Sequence, residues 1–281
     1  MAYRPLLSLS ILLLVVWLSG CVSMATDRLA NNLSQAMLNQ TDPEIVRSGA
    51  PAYLLLLDSL IAQSPDDQGL LFAGARLYGA YAGGLVSDNQ RQQKLTEKAL
   101  DYARRGLCPE TPELCQALGA PFEKFSLALA EVDEEEIEGI YLYATSWAGW
   151  IQAHSEAWSA VADLPKAEAM LQWVTAKDPA YDNGRAQLYL GVIGSQVPPT
   201  LGGRPEVGRQ HFENAITYSH SRDLMAKVEY ARHYARLVFD KPLHDRLLKE
   251  VLEADPVADG LTLSNVMAQQ MAAKLLQDDY F

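Results

Sequence analysis

Residues 67–107 read DQGLLFAGARLYGAYAGGLVSDNQRQQKLTEKALDYARRGL. Apolar residues recur in this stretch at intervals of three and four, which is the spacing of one face of an α-helix. Asp67 and Asp88 occupy positions at which aspartate caps a helix, so they predict two helices that end near Val86 and Leu107. These helices are predicted to pack against each other as an antiparallel pair.

The same spacing extends through most of the chain, and no long segment alternates with the period of two that a half-buried β-strand requires. Proline and aspartate breaks delimit the other predicted helices. They lie near residues 42–62, 121–131, 133–158, 165–177, 183–197, 205–219, 223–239, 242–254 and 264–278. The chain is therefore predicted to be all-α, with a single domain of antiparallel helix pairs over residues 42–281.

Three predicted helices end in related sequences: IAQSP at 61–65, VTAKDP at 174–179 and LEADP at 252–256. A helix pair closed by proline is similar to the tetratricopeptide repeat, which has about 34 residues. Partial matches to the inner pattern of that repeat are Leu71, Gly74, Ala75 and Tyr78, then Trp147, Trp150, Ile151 and His154, and finally Gly208, Phe212 and Ala215. The array is accordingly predicted to be a degenerate tetratricopeptide-like α-solenoid.

The N-terminus resembles a bacterial lipoprotein signal. Arg4 precedes an apolar stretch at residues 6–18, which is shorter than the roughly 20 residues of a membrane span and fits a signal-peptide core. The tetrapeptide LSGC at 18–21 resembles the site at which a cysteine is acylated and the preceding peptide removed. We predict a signal peptide over 1–20 and a lipidated segment over 21–41 that begins at Cys21, with a palmitate-type acyl anchor. The alternative is an ordinary signal peptide with a chance cysteine.

Charge restricts the partners. The sequence has 35 acidic and 23 basic side chains and a formal net charge of −12. Such a balance excludes nucleic acid, because its phosphates require a basic surface. It also excludes a polybasic attachment to anionic lipid. The lipid on Cys21 is therefore the predicted anchor at the periplasmic face of a membrane, and Val22 at the next position favours the outer membrane.

Cys108 and Cys115 are separated by PETPEL, whose two prolines predict a turn that brings the thiols together. An exported protein lies in a compartment in which disulfides persist. We predict a disulfide between these cysteines, worth about 2–3 kcal/mol of stability. Two free, buried helix cysteines are the alternative. A zinc site is not expected, because no second pair of ligands stands at matching spacing.

Catalytic patterns are missing from the sequence. It contains no phosphate-binding loop, no HExxH pair and no GxSxG turn, and its five histidines do not pair on a helix face. The run SHSRD at 219–223 has the residue types of a nucleophilic triad, but adjacent residues cannot adopt that geometry and instead predict a helix cap. We predict no enzyme activity, no cofactor and no metal site. An enzyme with an unrecognised polar site is the rival interpretation.

Aromatic side chains are concentrated on several predicted helices. Most are expected to form packing core between helices, but some could line a groove or channel for an apolar ligand. The candidates for such a lining are Tyr78, Trp147, Trp150 and Tyr189. The segment VPPTLGGRP at 197–205 is predicted to be either a rigid corner or a loop that faces a partner.

Several longer stretches resemble one protein family over nearly the whole mature chain. They are YDNG at 181–184, LYLG at 188–191, PP at 198–199, LGG at 201–203, HFENA at 211–215, APAYLLLLD at 50–58, RLYGAYA at 76–82 and EKALDYA at 97–103. Together they resemble the T component of tripartite ATP-independent periplasmic (TRAP) transporters. The resemblance identifies Cys21 as the lipidated residue and transfers no ligand-binding residue.

That resemblance implies a lipid-anchored periplasmic protein of degenerate tetratricopeptide units. It further implies a homotrimer that docks a TRAP-type solute-binding protein, with a hydrophobic channel in each subunit for an apolar ligand. The function expected is therefore that of a non-enzymatic binding and scaffold component. The alternative is an envelope-assembly lipoprotein whose helical groove binds peptide segments of outer-membrane or pilus machinery.

Overall fold

The computed structural model describes residues 33–201 and 203–281, and within these residues it contains helices and no strand, which confirms the predicted all-α class. The predicted signal peptide and Cys21 lie outside the described residues. The helices are α1 (Pro43–Gln63), α2 (Gln68–Leu85), α3 (Asn89–Leu107), α4 (Pro112–Ala117), α5 (Phe122–Ala130), α6 (Ile137–Ala153), α7 (Trp158–Val161), α8 (Leu164–Lys177), α9 (Tyr181–Gly194), α10 (Pro205–Tyr218), α11 (Leu224–Glu229), α12 (Lys241–Glu253) and α13 (Thr262–Leu275). Shorter pieces are the 3-10 turns Glu134–Glu136 and Pro199–Leu201 and the π-helical segment Tyr230–Ala235.

Aspartate caps set the starts of five helices. The side chains of Asp42 and Asp223 accept a hydrogen bond from the backbone N–H of the second residue of α1 and α11, at 2.9 and 3.1 Å. Those of Asp67, Asp88 and Asp240 accept from the third residue of α2, α3 and α12, at 2.9, 2.8 and 3.0 Å. Each cap satisfies a backbone donor that the helix itself cannot satisfy. The helix starts predicted from these aspartates at α1, α2 and α3 are therefore confirmed.

The single long helix predicted over 133–158 is wrong. Residues 134–136 form a separate 3-10 turn, and α6 ends at Ala153. At this end the His154 ring stacks on that of Trp150, with centroids 4.5 Å apart, and its Nδ1 lies 2.9 Å from the Trp150 carbonyl oxygen. The next backbone N–H, that of Ser155, donates to the Gln152 carbonyl three residues back at 3.3 Å, so the α-helical bonding pattern stops here. Trp158 therefore begins a separate four-residue helix, α7.

Two later predicted helices also differ in detail. The helix predicted over 183–197 begins with a left-handed turn at residues 182–184 and ends at Gly194. The helix predicted over 223–239 is α11 followed by the π-helical segment Tyr230–Ala235. Neither feature has a periodicity signal, since both arise from local backbone geometry rather than from the placement of apolar residues.

The Cys108–Cys115 disulfide is present, as predicted, with an S–S distance of 2.01 Å and a Cα–Cα distance of 5.6 Å. Cys108 caps the C-terminus of α3, and Cys115 lies in α4. Pro112 opens α4, so part of the segment predicted as a turn is a short helix. The bridge fixes α4 against the end of α3.

Neighbouring helices pack in sequence order along the array. α2 packs along α3, α9 packs along α10, and α6 connects the first pair to α8, which in turn packs on α9. At the far end, α13 packs on α11 and α12 and also reaches α1. Asn39 hydrogen-bonds the side chain of Asp259 at 3.0 Å and the N–H of Gly260 at 2.7 Å, so the two ends of the described chain meet. The tetratricopeptide-like solenoid stays a prediction.

Glycines permit close approach where helices of a pair cross. A Cβ added at Gly74 would lie 2.6 Å from Cδ2 of Tyr102, and one added at Gly191 would lie 2.8–2.9 Å from three atoms of the Phe212 ring. Such distances are well inside ordinary van der Waals contact. These two glycines allow an aromatic ring of one helix to lie directly on the backbone of its partner.

We expect Gly74→Ala to destabilise the protein by about 1–3 kcal/mol, as an overpacked core does. The Tyr102 ring cannot move aside freely, because its hydroxyl donates a hydrogen bond to Asp58 Oδ1 at 2.7 Å. Gly83→Ala is the matched control in the same helix, since a Cβ there meets nothing within 4 Å. It should stabilise the helix by roughly 0.5–1 kcal/mol. Urea unfolding of both variants measures the difference, and equal midpoints would refute the close-approach argument.

Candidate functional site

The four aromatic residues predicted to line a ligand channel lie in different surroundings. Tyr78 and Trp147 are buried, each with 4% of the residue exposed, whereas Trp150 and Tyr189 are half-buried. The Trp147 ring contacts Phe125 edge-on, with centroids 6.5 Å apart. Trp150 stacks on His154 at the end of α6. Tyr189 lies in α9, within electrostatic range of Arg185 and Asp182.

Tyr78 belongs to a polar network around Asp58 of α1. The hydroxyls of Tyr78 and Tyr102 donate to its carboxylate at 2.8 and 2.7 Å, and Lys98 forms an ion pair with the same group. Lys98 Nζ also lies 4.9 Å from the centre of the Tyr78 ring. Because every member has a partner, this Asp58 network joins α1, α2 and α3 as a structural unit.

The pKa shifts follow from that geometry. Burial favours the neutral form of Asp58, but the hydrogen bonds from Lys98, Tyr102 and Tyr78 outweigh it and lower the pKa of the carboxyl below its usual 3.8. Burial, together with the hydrogen bond to Asp58, raises the pKa of Tyr102 to about 12 and places that of Tyr78 well above its ordinary value. The network therefore holds Asp58 ionised and both tyrosines neutral at physiological pH.

A second polar group begins at the left-handed turn that opens α9. Asp182, Asn183 and Gly184 have φ values of 50°, 57° and 78°. Aspartate, asparagine and glycine are the residue types that tolerate this region best. The carboxylate of Asp182 accepts a hydrogen bond from the Tyr141 hydroxyl of α6 at 2.8 Å. The turn therefore connects α9 to α6.

Arg185 follows this turn and connects α9 to α11. Its Nε donates to Asp223 Oδ2 at 3.1 Å, while Asp223 Oδ1 accepts from the backbone N–H of Met225 at 3.1 Å. The Asp223 side chain is only 3% exposed, so its charge is balanced by the guanidinium and by the N-terminus of α11. We call Tyr141, Asp182, Arg185 and Asp223 the Arg185 cluster.

The Arg185 cluster is crowded by protein and still accessible. Burial disfavours the charged guanidinium, but Asp223 and Asp182 outweigh it and raise the pKa of Arg185. Burial also raises the pKa of Tyr141 and of Tyr189, which lies within electrostatic range of the cluster. Nevertheless, 28% of the Arg185 side chain is exposed and Tyr189 is only half-buried. Arg185 and Tyr189 are therefore only partly covered by protein.

The chemistry available there is binding rather than bond breaking. Arg185 donates to Asp223 and Tyr141 donates to Asp182, and none of the four side chains pairs a nucleophile with a base. Among residues 33–201 and 203–281, no group of three or more His, Cys, Asp or Glu side chains is placed to hold a metal ion. The cluster can fix helices and offer hydrogen bonds at the edge of an apolar interior.

The Arg185 cluster could not be predicted from the sequence. Its central ion pair joins residues 38 positions apart, and Tyr141 lies 41 positions from Asp182. The available signal was the tripeptide DNG at 182–184, whose residue types favour positive φ.

The described part of the chain includes cavities at two places away from the Arg185 cluster. The first, of about 440 Å³, lies between the helical residues 33–38 and α1 and is lined by apolar residues such as Leu33, Met37 and Ile45. The second, of about 280 Å³, lies beside the proline corner and includes Glu168, Arg204 and His211. None of the four predicted channel aromatics lines either cavity. Their role in ligand binding stays a prediction.

Comparison with known proteins gives one match. A family model described as the TRAP transporter T-component matches residues 39–281. The match covers almost all of the described chain and includes both the Asp58 network and the Arg185 cluster. No curated protein matches the chain at a significant level.

We expect Asp58→Asn to lower the free energy of unfolding near neutral pH by about 1–3 kcal/mol, because it removes the charge that three donors bind. An acid with a lowered folded-state pKa contributes stability above its unfolded pKa and loses it as the pH falls through the folded value. Wild-type protein should therefore lose stability below about pH 4, its ordinary value being 3.8.

The measurement is urea unfolding from pH 7 to pH 2.5. Asp58→Asn should show a shallower loss at the acid end than wild type, and Tyr102→Phe, which removes one donor, should lie between them. An identical acid slope in wild type and Asp58→Asn would contradict the assignment.

Proposed function

The chain belongs to the TRAP transporter T-component family, and we propose that it is a non-enzymatic, lipid-anchored component that docks a periplasmic solute-binding protein and passes an apolar ligand to it. The observation that carries this proposal is the family match over residues 39–281. Family membership supports a role in a TRAP transport system at the periplasmic side of a membrane. The docking of a solute-binding protein, the lipid anchor and the apolar class of the ligand are proposals that go beyond family membership.

The proposed anchor is the acylated Cys21. The sequence LSGC at 18–21 and the short apolar segment before it support cleavage and lipidation at this position. Two or three acyl chains give stable attachment, since each buried methylene contributes about 0.8 kcal/mol. The net charge of −12 leaves no electrostatic route to anionic lipid, which supports a covalent anchor. Val22 favours the outer membrane, and the resemblance favours a homotrimer.

Apolar ligand transfer is supported by apolar side chains that the core covers only in part. Tyr189 is half-buried, on the same helix as Arg185. Half-buried Met225 and Met271 pack on the smaller of the two apolar cores, and half-buried Met267 packs on the larger. Methionine side chains adapt to ligands of irregular shape. We propose that the ligand passes along this partly exposed apolar surface.

Docking of a solute-binding protein is supported by an exposed aromatic side chain just beyond the C-terminal end of α6. Trp158 is 88% exposed, and the neighbouring residues 155–157 and 159 are exposed too. Tryptophan is the residue type most enriched among the strongest contacts of protein interfaces. An exposed tryptophan in the short helix α7, between α6 and α8, is therefore the best single candidate for a docking contact.

We expect the mature lipidated protein, extracted in mild detergent, to capture a TRAP-type solute-binding protein from periplasmic extract of its own host. Trp158→Ala should weaken that capture by about 30-fold or more, because an interface anchor contributes at least about 2 kcal/mol. Phe239→Ala is the matched control, since Phe239 is also an aromatic residue and is 76% exposed. Binding is measured by titration of the captured protein.

Capture of outer-membrane or pilus assembly factors, without a solute-binding protein, would refute the transporter role and favour the envelope-assembly alternative. Equal affinity of wild type and Trp158→Ala for the solute-binding protein would refute only the contact at Trp158.

We expect the apolar fluorophore N-phenyl-1-naphthylamine to bind the mature protein, with about tenfold weaker binding to Tyr189→Ala, a loss of about 1.4 kcal/mol. Tyr280→Ala is the matched control, since this tyrosine is 46% exposed and lies in the C-terminal tail. Fluorescence titration measures both affinities. A Tyr189→Ala protein that binds the probe as wild type does would remove Tyr189 from the proposed path.

A further inference from the structure

α1 has two apolar faces, and the protein core covers only one of them. Val46, Ala50, Leu54 and Leu57 are buried against the core. A second stripe, formed by Ile45, Gly49, Ala52 and Leu56, is exposed, with 57% of Ile45 and 46% of Leu56 accessible. These four positions are spaced by four, three and four residues, so they lie along one line of the helix. We call them the outer stripe.

The outer stripe continues into the cavity of about 440 Å³ between α1 and the helical residues 33–38. Leu33, Ala36 and Met37 form the opposite wall. α1 is long and apolar enough to cross a membrane by length and composition, and only 33% of its most apolar window is buried in the protein. Core packing therefore does not account for all of the apolar character of α1.

The stripe is close to uncharged. Glu44 and Arg47, the charged residues beside its first turn, form an ion pair with each other. The chain as a whole has a net charge of −12. A partner that covers this stripe must therefore be recognised by apolar contact, and it cannot depend on attraction to a negative surface.

The number of residues between Cys21 and Leu33 limits how far this face can lie from a membrane to which Cys21 is anchored. Cys21 lies twelve residues before Leu33, which is a wall of the cavity. Even fully extended, twelve residues span at most about 40 Å. A compact domain of this size has a radius of gyration of roughly 18 Å, so the tether is no longer than the domain is wide. A protein held by acyl chains on Cys21 therefore keeps the end that bears Leu33 turned toward the membrane.

We infer that the outer stripe of α1 and its adjoining cavity rest on the lipid bilayer to which Cys21 is anchored. The helix lies along the surface, with Ile45 and Leu56 among the acyl chains and the Glu44–Arg47 pair at the level of the headgroups. This inference rests on the lipid anchor of the proposed function. It adds that the domain has a fixed orientation on the membrane, set by a protein face as well as by a tether.

The test uses the mature lipidated protein in phosphatidylcholine vesicles. Leu56→Cys and Ala62→Cys each receive a nitrobenzoxadiazole dye, and the native Cys108 and Cys115 are protected from labelling because they form a disulfide. Ala62 is exposed, lies six residues further along α1 and is about 120° around the helix. Nitroxide-labelled lipid should quench the dye at position 56 at least twofold more than the dye at position 62. The difference should persist in 0.5 M NaCl.

Equal quenching at the two positions overturns the inference. If the dye at position 56 is shielded from water but is not quenched by labelled lipid, another occupant covers the face and the inference is overturned. That occupant is a second copy of the chain if the shielding depends on protein concentration, and residues 22–32 if it does not. A mass lacking acyl chains at Cys21 removes the tether and overturns it as well. Capture of the solute-binding protein is measured separately, so its loss with unchanged lipid quenching would count against docking alone.

Discussion

The structure depends on aromatic rings that lie directly on the backbone of a neighbouring helix. The Phe72 ring of α2 fills the space above Gly106 of α3, where an added Cβ would lie 2.5 Å from it, and it also approaches Gly139 of α6. In the same way, the Phe212 ring of α10 lies directly on the backbone of α9 at Gly191. Helices that cross so closely lose the freedom to slide, because any shift brings ring and backbone into collision. The position of each helix along its partner is therefore determined.

Closely packed helices exclude water, so a polar group between them is stable only where other protein groups hydrogen-bond it. Asp58 and Asp223 are the carboxylates around which helices from different parts of the chain meet, and each has several donors. A buried carboxylate without such donors would cost several kcal/mol. The Asp58 network joins α1, α2 and α3, while the Arg185 cluster joins α6, α9 and α11. Rings fix the distance between helices in a pair, and these charged groups fix which pairs meet.

Local rules explain how much the sequence could predict. The caps at Asp42, Asp67 and Asp88 and the proline breaks act within one turn, so helix type and most boundaries follow from neighbouring residues. The disulfide was also predictable, because its two cysteines and the intervening prolines lie within eight residues. These features need no knowledge of the rest of the chain.

The errors came from side chains that act over longer distances or in unusual geometry. α6 ends at Ala153, beside the stacked rings of Trp150 and His154, although the apolar spacing of the sequence continues to Trp158. Tyr78 and Tyr189 were both predicted as channel residues because aromatic side chains are concentrated around them. In the structure the Tyr78 hydroxyl bonds Asp58 and its ring is buried, whereas Tyr189 is half-buried, on the same helix as Arg185. Residue type shows that a ring is apolar, but only the fold decides whether a second helix covers it.

The distribution of exposed apolar groups follows from the same constraint. Helices in the middle of the array have a neighbour on each side, so their apolar faces are covered and few large side chains remain exposed. α1 has α2 on one side and only a small contact with α13 on the other, which leaves its outer stripe free.

Trp158 is exposed for a different reason, because the break after α6 projects it away from both helices that flank it. One exposed surface is thus a consequence of position at the end of an array, and the other is a consequence of a local helix break. A face of the first kind extends over several helical turns and suits a broad apolar layer, whereas a single projecting ring suits a pocket on a folded partner.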